Sequence, residues 1–377
     1  MKTLTGIKVP AVFSFFSGSG FLDLGFETAG YEIVFVNEIS PSFLRAYQYS
    51  RAQMGKDKAR YGYFNVDIND FLNGRKNELL SLVSELRNEN RLVGFIGGPP
   101  CPDFSIAGKN KGAGGENGKL SLAYINLIIA MQPDFFLFEN VKGLWSTVRH
   151  RQHFEELKDK LHKAGYGTSE RLCNSLEFGV PQDRARIIMF GVKNELLPEN
   201  VSVEGRIVMF PWEQFREYNA NEVKAMPWCK TTDFGTNPQI TDGAIPALTV
   251  QYWFEKNDVD NHPNAEKHFT PRAGIAKMRN VSEGDVGRKS YKRLHRYRYS
   301  PTAAYGNNEV HLHPYKERRI SAAEAMAIQS MPKEFELPSD MSLSDMFKTI
   351  GNGVPFLLSK GIAKTMAAFL VGYVCKK

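Results

Sequence analysis

Across residues 11–192 the chain alternates short apolar runs with longer amphipathic stretches, and this alternation restricts the fold more than any other feature. The runs cover 12–16, 33–37, 64–68, 92–96, 134–138 and 186–192, and helix-like segments such as 78–87, 120–131 and 154–163 lie between them. Gly165 follows the last of these where a helix would be capped. A strand buried on both faces reads as a continuous apolar run, and a strand–helix–strand repeat builds a parallel sheet flanked by helices. The expected class is therefore α/β.

From about residue 200 the rhythm fails. Prolines, glycines and aromatics scatter through PWEQF, MPWCKTTDFGTNPQ and PALTVQYWF. Helical periodicity returns at Ser321 with SAAEAMAIQSM, and the stretch 351–369 contains a final helix. The expected division is a larger α/β body formed by 1–195 with 340–377, and a smaller irregular part from 196 to 339.

Composition narrows the class further. With 377 residues, 42% apolar and 24% charged, the chain has the makeup of an ordered globular protein of one or two domains. The longest apolar stretches, 124–131 and 366–374, fall short of the roughly 20 residues a membrane span needs. MKTLTGIKVP is followed by a short apolar run and a glycine-rich turn, unlike a secretory signal. The four cysteines lie far apart without a CxxC pair, which argues against a disulfide framework and a structural zinc. The expectation is a cytoplasmic protein with no membrane partner and no metal.

The charge is unevenly placed. Residues 265–300 hold ten Lys or Arg against three acids, as large an excess as the chain's whole formal charge of +7. Within it RKSYKRLHRYR places Arg288, Lys289, Lys292, Arg293, Arg296 and Arg298 among Tyr291, His295 and Tyr297, a mix suited to phosphate contact and base stacking.

In an open parallel sheet, ligands bind outside the carboxyl ends of the strands. The first run ends in Phe16-Ser17-Gly18-Ser19-Gly20, where missing side chains let a ligand approach the backbone. The second ends in Glu38, placed to grip ribose hydroxyls, and the third in Asp67, able to accept from an adenine amino group. These features fit a nucleoside cofactor and leave NAD and S-adenosylmethionine open. The fourth run ends in Gly97-Gly98-Pro99-Pro100-Cys101 and the fifth in Glu139-Asn140-Val141. A lone cysteine is most often a small buried apolar residue. A thiol and a carboxyl on adjacent strand ends suit nucleophilic attack on an electron-poor ring whose nitrogen needs a proton.

With these blocks in order, the chain resembles the DNA (cytosine-5) methyltransferases over nearly its whole length. The matching segments are FFSGSGFLDLGFETAG, NEIS, NVDI, GGPPCPDFSIAGKNKG, FENVKG, FGVPQDRARI, RRISAAEAMAIQSMP and TIGNGVP. The resemblance implies a Rossmann-like, S-adenosylmethionine-dependent methyltransferase sheet with a target-recognition part over roughly 196–317. It implies Cys101 as the nucleophile at cytosine C6, Glu139 as the acid at N3 and the exocyclic amine, and Arg184 with Arg186 from QxRxR, Arg186 on cytosine O2. Asn140 would order the loop behind the thiol. Cofactor contacts carry over to Phe16, Gly18, Ser19, Gly20, Glu38, Ile39, Asp67, Ile68, Pro100, Leu120, Asn352 and Val354. The glycine-rich segment 102–118 suits a lid in which Lys109 and Lys111 meet phosphates.

Two positions depart from the family pattern. Phe21 stands where the family usually has glycine, so its ring either crowds the methionine end of the cofactor or packs outward. Pro102 replaces the glutamine usual after the nucleophile, removing a donor where the lid begins.

The expected activity is methyl transfer to cytosine carbon 5 in a specific double-stranded DNA sequence by a monomer, with a tRNA cytosine-5 methyltransferase as the alternative. The large basic region favours duplex DNA. An NAD-dependent oxidoreductase leaves PPC, ENV and QxRxR unexplained together, and a catalytically dead DNA-binding protein is at odds with an intact set of catalytic positions. Family members often act beside a companion restriction endonuclease, so that partner is expected as well, with nucleoid association following from DNA binding.

Overall fold

The computed structural model describes residues 3–4, 7–100, 116–270, 275–288, 290–303, 305 and 310–374. Its centre is a nine-stranded sheet: β1 (Ala11–Phe15), β2 (Glu32–Asn37), β3 (Tyr63–Phe64), β4 (Val93–Gly97), β5 (Phe135–Val141), β6 (Tyr166–Asn174), β7 (Ala185–Lys193), β8 (Ser202–Val203) and β9 (Arg206–Ile207). Their order across the sheet is β3-β2-β1-β4-β5-β7-β6-β9-β8. From β3 to β5 all neighbours are parallel. The chain leaves β1 in one direction to build β2 and β3, then returns to the other side of β1 for β4 and β5. The order reverses between β1 and β4, which is where such sheets open a ligand crevice.

The wholly parallel expectation fails at the far end. β7 inserts between β5 and β6 and runs antiparallel to both. β6 gave no apolar run because YGTSERLCN is polar in its middle, where its residues are only half buried. The third expected run also shortens: only Tyr63–Phe64 pairs with β2, and Asp67 instead caps a 3₁₀ turn, Ile68–Leu72, by accepting from Asn69 N.

Helices cover both faces. Along β1 successive side chains alternate sides. Phe13 and Phe15 enter one core with Phe95, Tyr124, Phe138 and Phe154, while Val12 enters the other with Ile96, Leu137, Phe190 and Leu358. The first face is covered by α3 (Lys76–Asn88), α4 (Glu116–Met131), the short α5 (Lys142–Ser146) and α6 (Val148–Lys163), the last closed by Gly165 at φ 90°. The second holds α1 (Phe21–Thr28), α2 (Pro41–Gln53) and, from the far end of the chain, α9 (Phe356–Phe369). α1 and α9 touch where Gly25 meets Ser359: a Cβ at Gly25 would lie 2.2 Å from Ser359 Oγ, which donates to Leu22 O.

Between residues 200 and 320 regular structure is short, as in Ala220–Ala225 and Val250–Lys256. Then α7 (Ala322–Ile328), capped reciprocally by Ser321 and Glu324, leads to α8 (Leu343–Asn352). A third core joins these elements to the body, with Phe21, Leu24 and Phe43 packed among Trp253, Ile320, Met326, Phe335 and Phe347. The helical run Leu343–Val374 has the length and apolarity of a membrane span, yet 67% of its most apolar window is buried inside the protein.

Candidate active site

The glycine turn follows β1 at the point where the sheet order reverses. Three of its five residues have left-handed backbones: Phe16 at φ 53°, Gly18 at 55° and Gly20 at 82°. Phe16 is a bulky residue in a region that disfavours it, and its ring is held edge-on to Tyr124. At Gly18 an added Cβ would reach nothing nearer than Thr349 Oγ1, 3.8 Å away, whereas at Gly20 it would meet the Tyr47 ring at 2.6 Å. Glycine is required at the first for its backbone and at the second for space as well.

Glu38 lies across the turn. It accepts from Gly18 N and Ser40 N, both at 2.8 Å, and its burial pushes the carboxyl up from the usual range against those two bonds. Beside it Ile39 is 60% exposed, an apolar side chain at the mouth of the crevice. Asp67 is half-buried, Ile68 is buried, and Leu120 packs partly buried on the first core. The end of α8 and the turn after it close the other side: Ser19 Oγ lies 2.8 Å from Thr349 Oγ1, Asn352 is exposed, and Val354 is buried.

The chemistry-bearing strand ends meet next to this crevice. Glu139, near the end of β5, sits against the main chain of Gly98: a Cβ there would lie 2.6 Å from Glu139 Oε2. Gly98 therefore lets the carboxyl approach the strand end three residues before Cys101. Arg186 Nε pairs with Glu139 Oε1 at 3.1 Å, where both side chains are nearly buried. Burial raises the Glu139 carboxyl above its ordinary range, while Arg186 and then Arg184 pull it down. Asn140 donates Nδ2 to Pro99 O at 3.3 Å and accepts from Val141 N, joining the PPC segment to β5. Pro100 is exposed at the rim. Cys101, Pro102, Lys109, Lys111 and Lys289 lie outside the described residues.

The two arginines of QxRxR have different partners. Arg184 is fully buried, and its Nη2 reaches the carbonyls of Gly351 (2.8 Å) and Gly353 (3.0 Å), with Asn352 O at 3.4 Å. Through Nη2 it ties the end of the sheet to the turn after α8, its Nε and Nη1 have no hydrogen-bond partner among the described residues, and of the two arginines it is Arg186 that pairs with Glu139.

The basic window also divides. Arg293 is fully buried and donates to the carbonyls of Val281, Met278, His313 and Lys316. With its donors spent on carbonyls inside the fold it cannot also meet a phosphate, which corrects its expected DNA contact. Arg296 chelates Glu283 through Nε and Nη2, both at 2.9 Å, and Arg298 donates to Cys229 O. These two hold the irregular segment after residue 200 together before they face any solvent. Arg288 is exposed and Lys292 half-buried.

Some supporting residues gave no sequence signal. Arg51 from α2 is buried, donates to Gly20 O at 2.7 Å and pairs with Glu27. Asp23 beneath the turn accepts from Ser14 Oγ, and burial pushes its carboxyl up to about 6. Only the folded chain brings Arg51 under a turn 31 residues away. Ser19 and Thr349 both stand in motif blocks, but nothing in the sequence pairs the two.

Phe21 resolves in favour of packing. It is 2% exposed, with its ring 5.1 Å from Phe335 at a steep angle. It points into the third core and not into the crevice.

Comparison with known proteins agrees with this arrangement. The family model for C-5 cytosine-specific DNA methylases matches residues 11–368. The type II methyltransferase M.NmeDI of Neisseria meningitidis serogroup C is 56% identical over 364 residues, spanning 96% of this chain and 84% of that protein. M.FnuDI of Fusobacterium nucleatum is 30% identical over 362 residues, spanning 93% and 92%. Among solved structures, a prophage-encoded chain from E. coli superposes with a TM-score of 0.65 at 20% identity, covering 96% of this chain and 99% of its own. The S. pombe Dnmt2 methyltransferase gives 0.58 at 14%, covering 97% and 99%. At these identities the two structures speak for the fold alone. The chain belongs to the C-5 cytosine-specific DNA methylases and is a DNA (cytosine-5-)-methyltransferase of the type II restriction-modification kind.

Proposed function

We propose that the protein methylates carbon 5 of a flipped-out cytosine within one short duplex-DNA sequence, through a covalent bond between Cys101 and cytosine C6, with S-adenosylmethionine as the methyl source. The observation that carries this reading is the Glu139 carboxyl, buried, paired with Arg186 and lying against Gly98 at the strand end that leads to Cys101. On the same reading, 1–195 with 340–377 form the catalytic body and 196–339 the part that reads DNA.

The residues present suit that cofactor. The crevice offers a glycine turn with room at Gly18, a buried Ser17 Oγ without a hydrogen-bond partner among the described residues, a carboxyl at Glu38, and exposed apolar surface at Ile39. When bound, S-adenosylmethionine supplies an electrophilic sulfonium methyl. The protein's task is to make C5 a nucleophile. The Cys101 thiolate adds to C6, and Glu139 places a proton at N3, so the electron pair of the addition comes to rest as an enamine at C5. After methylation, loss of the C5 proton to a base returns the electrons to the ring and expels the thiolate, and N3 gives its proton back to Glu139. Arg186 keeps the carboxyl in position and balances its charge once the proton has gone. C6 is covered in a stacked duplex, so the base must leave the helix, at a cost of a few kcal/mol.

Base-resolution sequencing of 5-methylcytosine in DNA from a methylation-free host expressing the protein tests this. New 5-methylcytosine at one short motif is expected. Unmodified DNA alongside newly methylated host RNA would replace it with the RNA reading. A companion endonuclease cutting the same unmodified sequence, in the same cytoplasm, is the partner such a mark would serve.

DNA binding should separate the basic residues. Arg288→Ala, which loses only an exposed pair with Asp285, is expected to lower the slope of log affinity against log salt by about 1 and leave the unfolding midpoint in place. Arg293→Met is expected to destabilise the fold by about 2–4 kcal/mol, through orphaned carbonyls, without changing that slope. Filter binding across a salt series with denaturant melts reads both. A lowered slope in Arg293→Met would reverse the assignment.

A further inference from the structure

Gly353 has no backbone reason to be glycine. Its φ of −58° and ψ of 144° are open to every residue. What excludes a side chain is Phe21: a Cβ built on Gly353 would lie 2.7 Å from Phe21 Cδ1 and Cγ and 3.1 Å from its Cβ. Nor can the ring step aside. It is 2% exposed and packed on Phe335, in a core that includes Leu24, Phe43 and Phe347.

The position of this contact matters. Phe21 opens α1 directly after Gly20, the last residue of the glycine turn. Gly353 lies between exposed Asn352 and buried Val354 on the opposite wall of the crevice. We propose that Phe21 and Gly353 form a ring-in-socket clamp that sets the distance between the two walls of the cofactor crevice, with Phe21 a positioning residue for S-adenosylmethionine. This rests on the reading of the crevice as the site of that cofactor.

Hydrogen bonds hold the same turn from other directions: Ser19 to Thr349, Arg184 to Gly351 and Gly353, and Gln329 Nε2 to Ile350 O. They hold the turn through side chains and carbonyls, whereas the Phe21 ring, from the third core, backs it at Gly353. In a close-packed interior even one added methyl must push something, and the yielding element here is the turn carrying Asn352 and Val354. Because Phe335 belongs to the 196–339 segment, the ring also bears that segment's packing on the crevice.

Gly353→Ala, Phe21→Ala and the double variant, compared with wild type, test the clamp. Titration calorimetry with S-adenosylmethionine is expected to show at least tenfold weaker binding for Gly353→Ala. In the Phe21→Ala background, adding Gly353→Ala is expected to change affinity less than twofold. KM for the cofactor should rise in Gly353→Ala while KM for DNA stays put, a split that general loss of structure would not produce. Unchanged affinity in Gly353→Ala, or the same loss in both backgrounds, overturns the proposal. Melting midpoints of the four ligand-free proteins supply a second reading: the cost of Gly353→Ala should shrink when Phe21 is gone, and additive costs would sink the socket. A wild-type protein that binds no S-adenosylmethionine overturns the cofactor reading and the positioning role with it, and the melting cycle still decides the clamp. Should Phe21→Ala not fold, a series of Ala and Val at Gly353 takes its place, and affinity flat across it overturns the clamp.

Discussion

Cys101→Ala is expected to leave host DNA unmethylated at every site the wild-type enzyme marks, a loss on the order of 10⁴-fold or more. Carbon 5 of cytosine is too weak a nucleophile to take a methyl group until a thiolate adds at C6, and alanine has nothing to add. No described cysteine can stand in. Cys173 is fully buried beside Arg186 in the sheet, and burial pushes its thiol up to about 12. Cys229 is buried in the irregular segment after residue 200, where its sulfur lies 3.1 Å from Thr241 Oγ1. On the proposed reading cofactor and DNA contacts come from other residues, so binding of both should survive. Methylation sequencing, calorimetry and a search for a denaturation-resistant protein–DNA adduct read the three consequences. Methylation near the wild-type level in this variant would remove Cys101 from the chemistry.

What the sequence revealed, and what it hid, follows from what a linear pattern can encode. The strands buried on both faces, β1, β2, β4, β5 and β7, announce themselves as apolar runs and fall within a residue or two of expectation, except that β5 runs three residues further, to Val141. β6 does not, because an only half-buried strand has no need of apolar residues in its middle. That β7 runs antiparallel was invisible, since a run of buried residues reads alike in either direction. The motifs located the crevice and brought Glu139 to the end of β4, but motif membership did not separate neighbours. Arg184 and Arg186 stand two residues apart in one pattern, yet one ties three carbonyls and the other meets the carboxyl. The charge count failed in the same way for Arg293, because counting cations says nothing of which face inward. Arg51 and the Phe21–Gly353 contact depend on segments 31 and 332 residues away, a relation that one sequence alone does not show.

Glu139→Gln tests the other half of the chemistry and is expected to lower kcat by roughly 10²–10⁴-fold, the usual worth of a positioned general acid. Glutamine keeps the shape and one acceptor oxygen, so it can remain against Gly98 and near Arg186, but it has no proton to transfer to N3. The pH profile should then change in a way that lost packing would not mimic. Burial holds the wild-type carboxyl above the ordinary range, and a carboxyl so raised but still titrating below an unperturbed thiol, near 8.5, sets the expected profile. Between the two, the protonated acid falls tenfold per pH unit as the thiolate rises tenfold, so their product is flat and kcat/KM forms a plateau. Without the acid only the thiolate factor remains, and kcat/KM of Glu139→Gln should climb about tenfold per pH unit across that range. A variant that kept the plateau at reduced height would show that Glu139 orients the base without giving it a proton. A variant with unreduced kcat would remove the carboxyl from the reaction and leave its pairing with Arg186 as a purely structural bond.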